Sequence, residues 1–187
     1  MRKVILGLAV SLDGFIEGPH GEYDWCFTDQ DYGMRDFFKR IDTIFIGRKT
    51  YEMTMKADNG STENNGPFSK IKQYVFSNTL KRVDKKSVLI NGKIETKVSK
   101  IKKEKGKDIW LFGGAGLTTS FINKKLIDEI MLAVHPILLG TGKPLFKDIE
   151  KRVELTLIDT KRFTTGLVQL TYELKSKERS RKNTKKS

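Results

Sequence analysis

Three short stretches carry groups suited to holding an anion. In Trp110-Leu111-Phe112-Gly113-Gly114-Ala115-Gly116-Leu117, three glycines fall within four positions between an apolar run and a helix-like run. A strand that ends in glycine and restarts as a helix offers bare backbone N–H groups at a helix N-terminus, where partial positive charge favours phosphate. Gly47-Arg48-Lys49-Thr50-Tyr51-Glu52 follows another apolar run and supplies two cations and a hydroxyl after one glycine, groups for charge-assisted bonds. Ser77-Asn78-Thr79, after Val75-Phe76, adds two hydroxyls and an amide, with Lys81 and Arg82 just beyond. The glycine stretch is not a Walker loop, because no Gly-Lys-Ser/Thr follows. Nor is it the dinucleotide fingerprint, because Thr119 stands where the last glycine belongs. Alone it is equally well a tight turn that needs glycine for backbone freedom. Three strand ends with phosphate-suited groups are more than a turn requires, since ligands of parallel sheets gather at the C-terminal ends of strands.

Strands and helices must bring those ends together. Residues 4–10 are an apolar run closed by the turn signal Asp13-Gly14 and predict a buried first strand. Met34, Phe37, Phe38 and Ile41 recur at the spacing of one helical face, so residues 30–40 are predicted helical, with Met34 inward and Asp36 outward. Further strands are predicted at 43–46, 74–76, 88–90 and 109–112, helices at 48–56, 94–103 and 117–123, and a polar loop at 57–67. Residues 130–139 form a long apolar run, and 153–158 with 167–174 alternate as a closing hairpin around Gly166. The order predicts an α/β fold: a mixed, mainly parallel sheet flanked by helices, with a C-terminal antiparallel hairpin.

The chain has 187 residues, enough for one domain. The net charge of +13 points to nucleic acid until it is divided along the chain. The last thirteen residues, KSKERSRKNTKKS, hold seven Lys/Arg against one Asp/Glu, so nearly half the excess lies in a tail without apolar residues. The domain is therefore placed at 1–174 and a basic, disordered tail at 175–187, read as a solubility tail in preference to a polyanion-binding arm. Elsewhere the lysines lack the aromatic interleaving that base stacking needs, so no specific nucleic-acid partner is expected. Met1-Arg2-Lys3 and the apolar run after it imitate a short signal peptide, but no small-x-small cleavage site follows. No apolar stretch approaches the roughly 18 residues of a membrane span. The single cysteine, Cys26, excludes an internal disulfide, and with His20 and His135 it lacks the local spacing of a zinc site. A cytoplasmic, metal-free protein is expected.

Taken in order, Gly47 to Glu52, Val75 to Asn78 and Gly113 to Gly116 resemble the three NADPH-binding elements of dihydrofolate reductases, and Ile5-Leu6-Gly7-Leu8-Ala9-Val10-Ser11 resembles that family's first strand. Within this dihydrofolate reductase-like superfamily the chain is most similar to the C-terminal reductase domain of bifunctional riboflavin biosynthesis deaminase/reductases. Ser11-Leu12-Asp13-Gly14-Phe15-Ile16 resembles that domain's opening motif. Leu126-Ile127-Asp128-Glu129, Pro136-Ile137-Leu138-Leu139-Gly140-Thr141-Gly142 and Leu145-Phe146 resemble its later signature.

The resemblance implies a stand-alone NADPH-dependent oxidoreductase related to 5-amino-6-(5-phosphoribosylamino)uracil reductase, with hydride transfer to the sugar C1′ and riboflavin biosynthesis as the inherited pathway. It places Ala9 and Gly47 at the cofactor and assigns Arg48, Ser77 and Asn78 to the adenosine 2′-phosphate. Lys49 and Thr50 fall to the pyrophosphate, as do Gly113, Gly114, Ala115, Gly116 and Leu117. It makes Gly113–Gly114 a candidate cis peptide and implies a homodimer, which the closing hairpin and the 130–139 run could support. Dihydrofolate reductases carry a carboxylate where this chain aligns Met34, which disfavours dihydrofolate or another pterin as the alternative substrate. Asp13 becomes the candidate catalytic and substrate-side polar group, with a turn residue as the other reading. Trp25 is a candidate substrate stacker or a core residue, and Tyr51 faces ligand or packs its helix. His135 reads as an ordinary strand residue. A non-catalytic NADPH-binding protein remains a separate alternative.

Overall fold

The computed structural model describes residues 1–57 and 71–175; most of the expected polar loop and nearly all of the basic tail lie outside them. Six strands run parallel: β1 (Val4–Ser11), β3 (Ile41–Gly47), β4 (Lys72–Phe76), β5 (Ser87–Ile90), β6 (Asp108–Gly113) and β7 (Glu129–His135). β9 (Leu155–Arg162) and β10 (Val168–Leu174) add an antiparallel hairpin, completing an eight-stranded sheet of order β5-β4-β3-β6-β1-β7-β10-β9. A small second sheet pairs β2 (Phe15–Glu17) with β8 (Lys143–Pro144), two strands without a sequence signal. The helices are α1 (Met34–Arg40), α2 (Arg48–Ala57), α3 (Ile94–Lys103) and α4 (Ala115–Asn123). Among the described residues, no helix is long and apolar enough to cross a membrane.

Alternation along the parallel strands divides the core in two, because successive side chains leave a strand on opposite faces. Val4, Leu6, Phe45 and Leu111 pack with Val98 and Ile101 of α3 and Phe121 of α4. Ile5, Ile44, Ile46 and Trp110 pack on the other face with Phe37 of α1 and Tyr51 of α2. Burial on both faces explains why these strands read as continuous apolar runs and not as alternating ones.

Several boundaries differ from the sequence reading: β9 spans Leu155–Arg162 against the expected 153–158, α4 starts at Ala115 against the expected 117, and two further differences have a clear local cause. The first helix begins at Met34, not residue 30, because Tyr32 and Gly33 take positive φ values of 48° and 79° and break the helical path before it. The long apolar run is a strand only to His135. Pro136 cannot donate to the ladder, and the Ile137 N–H turns back onto the His135 carbonyl at 2.8 Å. Met34 does pack against the second core cluster, while Asp36 is exposed and paired with Lys39, as the periodicity predicted.

At the N-terminal edge of the sheet, the Arg40 guanidinium holds the Glu129 carboxylate through two bonds of 2.6 and 2.7 Å and reaches Asp108 at 2.9 Å. Glu129 is 2% exposed, so Arg40 supplies the opposite charge that a buried carboxylate requires. This cluster ties the starts of β3, β6 and β7 together at the end away from the glycines.

Candidate active site

Parallel strands point their C-terminal ends to one edge, and there the sheet parts. β1 pairs with β6 only from Val4 to Leu6, opposite Ile109 to Leu111. Beyond that point β1 follows β7, with Ala9 opposite Ala133 and Ser11 opposite His135, while β6 stays with β3 until Ile46 meets Gly113. A seam therefore opens between the upper halves of two neighbouring strands. The chain leaves β1 for strands on one side of the sheet and later continues to β7 on its other side. Such a switch in strand order is where crevices form in open α/β sheets.

Two helix N-termini converge beside the seam. α2 starts at Arg48 directly after Gly47, and α4 starts at Ala115 directly after Gly114. A Cβ placed on Gly114 would lie 3.4 Å from Thr50 Oγ1, and one on Gly47 would lie 3.6 Å from the Gly113 carbonyl oxygen and 3.7 Å from Leu117 Cβ. Gly113 and Gly114 have φ of 97° and 61°, values that L side chains rarely adopt. The peptide between them is trans, which corrects the expected cis bond: two glycines at positive φ turn the chain from β6 into α4 without it. A Cβ on Gly116 would meet nothing within 4 Å, so open space lies over the first turn of α4. The Thr118 hydroxyl, one turn into that helix, is fully buried and has no hydrogen-bond partner among the described residues. Bare N–H groups, open space and a hydroxyl at one place fit a pyrophosphate.

The neighbouring groups lie on the same edge. Arg48 and Lys49 are exposed, and Arg48 pairs with Glu52 one turn along α2 at 3.2 Å. Ser77 continues from the end of β4, its N–H bonded to the Ile90 carbonyl at 3.0 Å and its hydroxyl oxygen accepting from the Thr79 and Leu80 N–H groups. Asn78 Oδ1 accepts from the Gly92 N–H at 3.0 Å, which fixes its amide plane at the surface. Tyr51, however, is buried, and its hydroxyl accepts from the Asp84 N–H at 2.9 Å. Its structural use is to pack α2 against the segment before β5.

Beyond the seam, Asp13 is exposed at the end of β1. The Ser11 hydroxyl donates to it at 2.6 Å, and the Gly140 and Leu139 N–H groups at 2.8 and 3.2 Å. The Ser11 bond first, then the two backbone donors, hold its carboxyl below the ordinary range. An ionised carboxylate with both oxygens engaged is a poor proton donor and a good clamp between two loops. Asp31, just before α1, accepts from the Arg35 N–H in the first turn of that helix at 3.1 Å.

Trp25 belongs to neither core cluster and lies edge-on to His135, with ring centroids 5.3 Å apart. His135 is buried at 3% exposure, and its Nε2 accepts the Phe27 N–H at 3.1 Å. The role of His135 and Phe27 was not legible in the sequence, because the segment between β2 and α1 has no periodicity to place it. The hydroxyl of Thr118 was likewise hidden behind its helical setting.

Comparison with known proteins places this geometry in context. A sequence model of the RibD C-terminal domain matches residues 2–169. The uncharacterized protein YyaP of Bacillus subtilis is 47% identical over 177 residues, covering 91% of this chain and 94% of that protein. A solved structure of a Shewanella sp. PV-4 protein assigned by name to riboflavin biosynthesis superposes with a TM-score of 0.81 at 28% identity, covering 94% of this chain and all of that one. Dihydrofolate reductase from Enterococcus faecalis, solved with NADP(H), superposes with a TM-score of 0.67 at 17% identity over 93% of this chain and 97% of that one, a likeness of fold.

Proposed function

The chain belongs to the RibD C-terminal domain family, and from that premise we propose that it is an NADPH-dependent reductase acting on a small carbonyl or imine at the seam between β1 and β6. The observation that carries the reading is the convergence of the α2 and α4 N-termini on Gly113 and Gly114 beside that seam. Bound NADPH would supply a hydride. The backbone N–H groups of Gly114 to Leu117, with Thr50 and Lys49, would hold its pyrophosphate. Arg48, Ser77 and Asn78 would take the 2′-phosphate, Arg48 exchanging its exposed Glu52 pair for a doubly charged partner. Ala9, on the open side of β1, would border the nicotinamide, and Gly47 would let it approach.

The substrate we propose is an open-chain aminopyrimidine ribosyl phosphate, as for the reductase that the family is named after. Met34, packed in the core where dihydrofolate reductases need a carboxylate, favours this over a pterin. Trp25 stands on the substrate side as a flat apolar surface. Asp13 keeps the loops after β1 and β7 in register, and the proton that completes reduction comes from water. The working unit we propose is a homodimer. β9 is an edge strand exposed along its whole length, with Leu157 and Ile158 each about half exposed at 50% and 49%. Long apolar edges are seldom left open to solvent. β7 is interior to the sheet, so the 130–139 run offers no edge for strand pairing.

The test is NADPH consumption with 5-amino-6-(5-phosphoribosylamino)uracil and, separately, dihydrofolate, using NADPH deuterated at the transferring position. Turnover of the first with label recovered at C1′ supports the reading. Turnover of dihydrofolate alone would move the substrate to a pterin, and tight NADPH binding without turnover of any carbonyl would make the chain a binding protein.

A further inference from the structure

The segment joining β2 to α1 passes over the end of β7 without helix or strand. His135 meets it there with both ring nitrogens engaged. Nδ1 lies 3.0 Å from the Ala133 carbonyl, which only an N–H can satisfy, so the ring proton sits on Nδ1 and Nε2 is left as the acceptor for Phe27. The rings of Trp25 and Phe27 both pack against the imidazole, with centroids 5.3 and 5.0 Å from that of His135. Phe27 in turn stacks on Tyr32, whose hydroxyl donates to Asp29 at 2.6 Å. Trp25 Nε1 is shielded from water and has no hydrogen-bond partner among the described residues. An unpaired buried donor opposes the closed arrangement, so the segment is held down against a local penalty.

We propose that His135 is a positioning residue: neutral, it clasps the Trp25–Phe27 segment as the substrate-side wall of the crevice, and a second proton, on Nε2, releases that wall. With Nε2 protonated, an N–H would face the Phe27 N–H at 3.1 Å, turning an attraction into a repulsion. That the wall faces substrate rests on the proposed cofactor site; the clasp does not. The surroundings leave the switch to His135. Beside the clasped residues the ionisable groups are Asp24, which is exposed, Cys26, whose thiol burial and then Asp24 push up to about 11, and Asp29, which accepts from Tyr32; His20 and Glu22, earlier in the segment, are exposed. From β1 the neighbour in register is Ser11, and Asp13 beyond it is committed to Leu139 and Gly140. Burial acts on the His135 ring against the charged form, opposed by the Ala133 and Val10 carbonyls.

The chain has two tryptophans, and Trp110 is buried in the core. Acrylamide quenching of tryptophan fluorescence is followed from neutral pH down to the onset of acid unfolding, because burial moves the ring's titration below the ordinary imidazole range, alongside far-ultraviolet circular dichroism. Wild-type protein is expected to show one rise in quenching as pH falls, with unchanged dichroism. The rise should vanish in Trp25→Phe and in His135→Gln, whose amide stays neutral. NADPH affinity should stay level through the step, because the groups proposed for its phosphates sit where β3, β4 and β6 end and at the starts of α2 and α4. Flat quenching in the wild type, a rise that persists in His135→Gln, or a rise accompanied by loss of dichroism would each overturn the proposal. Failure of the wild type to bind NADPH would remove the cofactor reading and leave the clasp to be judged by its fluorescence.

Discussion

Glycines at the end of β6 differ in what they do, and substitution separates them. Gly113 needs its positive φ, and a Cβ there would come within 3.2 Å of Leu8 Cδ1. Gly113→Ala should lower stability by about 1–3 kcal/mol through backbone strain, read as a fall in melting temperature. Gly116 lies inside α4, and its Cβ would enter open space. Gly116→Ala should therefore raise stability by about 0.5–1 kcal/mol while weakening NADPH binding, because the methyl occupies room a phosphate needs. Equal NADPH affinity in Gly116→Ala and wild type would reduce that glycine to a turn element. His135 adds a pH dependence of known sign. Burial lowers its folded-state pKa from the usual 6.5, so the unfolded chain binds the extra proton more readily. Stability from this group is present above about pH 6.5 and is lost as pH falls toward the folded value. Calorimetry across that range should show a melting temperature in His135→Gln that falls less steeply with acid than the wild type's.

Elements fix where those residues can act. The parallel strands bring Gly47, Ser77 and Gly113 to one edge, and the Arg40–Glu129–Asp108 cluster closes the opposite one. Glu129→Gln removes a carboxylate from a buried pair, and the expected loss is about 2–3 kcal/mol, near the low end for such pairs because Arg40 keeps Asp108. NADPH affinity, measured below the melting transition, should not change; a large change would mean that the two ends of the sheet are coupled. Much of this arrangement was legible in the sequence. The strands buried on both faces wrote themselves as apolar runs, the Met34, Phe37 and Phe38 stripe gave the inward face of α1, and strand-glycine-helix sequences marked the two junctions that meet beside the seam. What escaped had no repeating signal. β2 and β8 are too short to show a period, and the His135 contact with Phe27 joins residues 108 positions apart through a backbone N–H that any residue would offer. For Tyr51 the sequence left ligand contact and helix packing open, and the structure shows packing, with the hydroxyl held by the Asp84 N–H, a partner distant in sequence.

At the scale of the whole molecule, the sheet ends unevenly. The β5 edge is short, whereas β9 is eight residues long and, among the described residues, has no strand on its outer side. If a second copy covers that strand, Leu157→Lys should shift the sedimentation coefficient from dimer to monomer with little change in melting temperature, since Leu157 is half exposed in the single chain. A wild-type monomer at micromolar concentration would reject the dimer and leave the reductase reading intact, because every group assigned to the cofactor comes from one chain. That assignment is the central claim, and it is tested most directly by titrating the protein with NADPH and with NADH while following nicotinamide fluorescence, with Arg48→Ala in parallel. The account predicts that NADPH binds more tightly than NADH and that Arg48→Ala weakens NADPH by about tenfold or more, the loss of one charge-assisted bond, while leaving NADH nearly unchanged. Binding of neither nucleotide, or equal binding of both unaffected by Arg48→Ala, would contradict it.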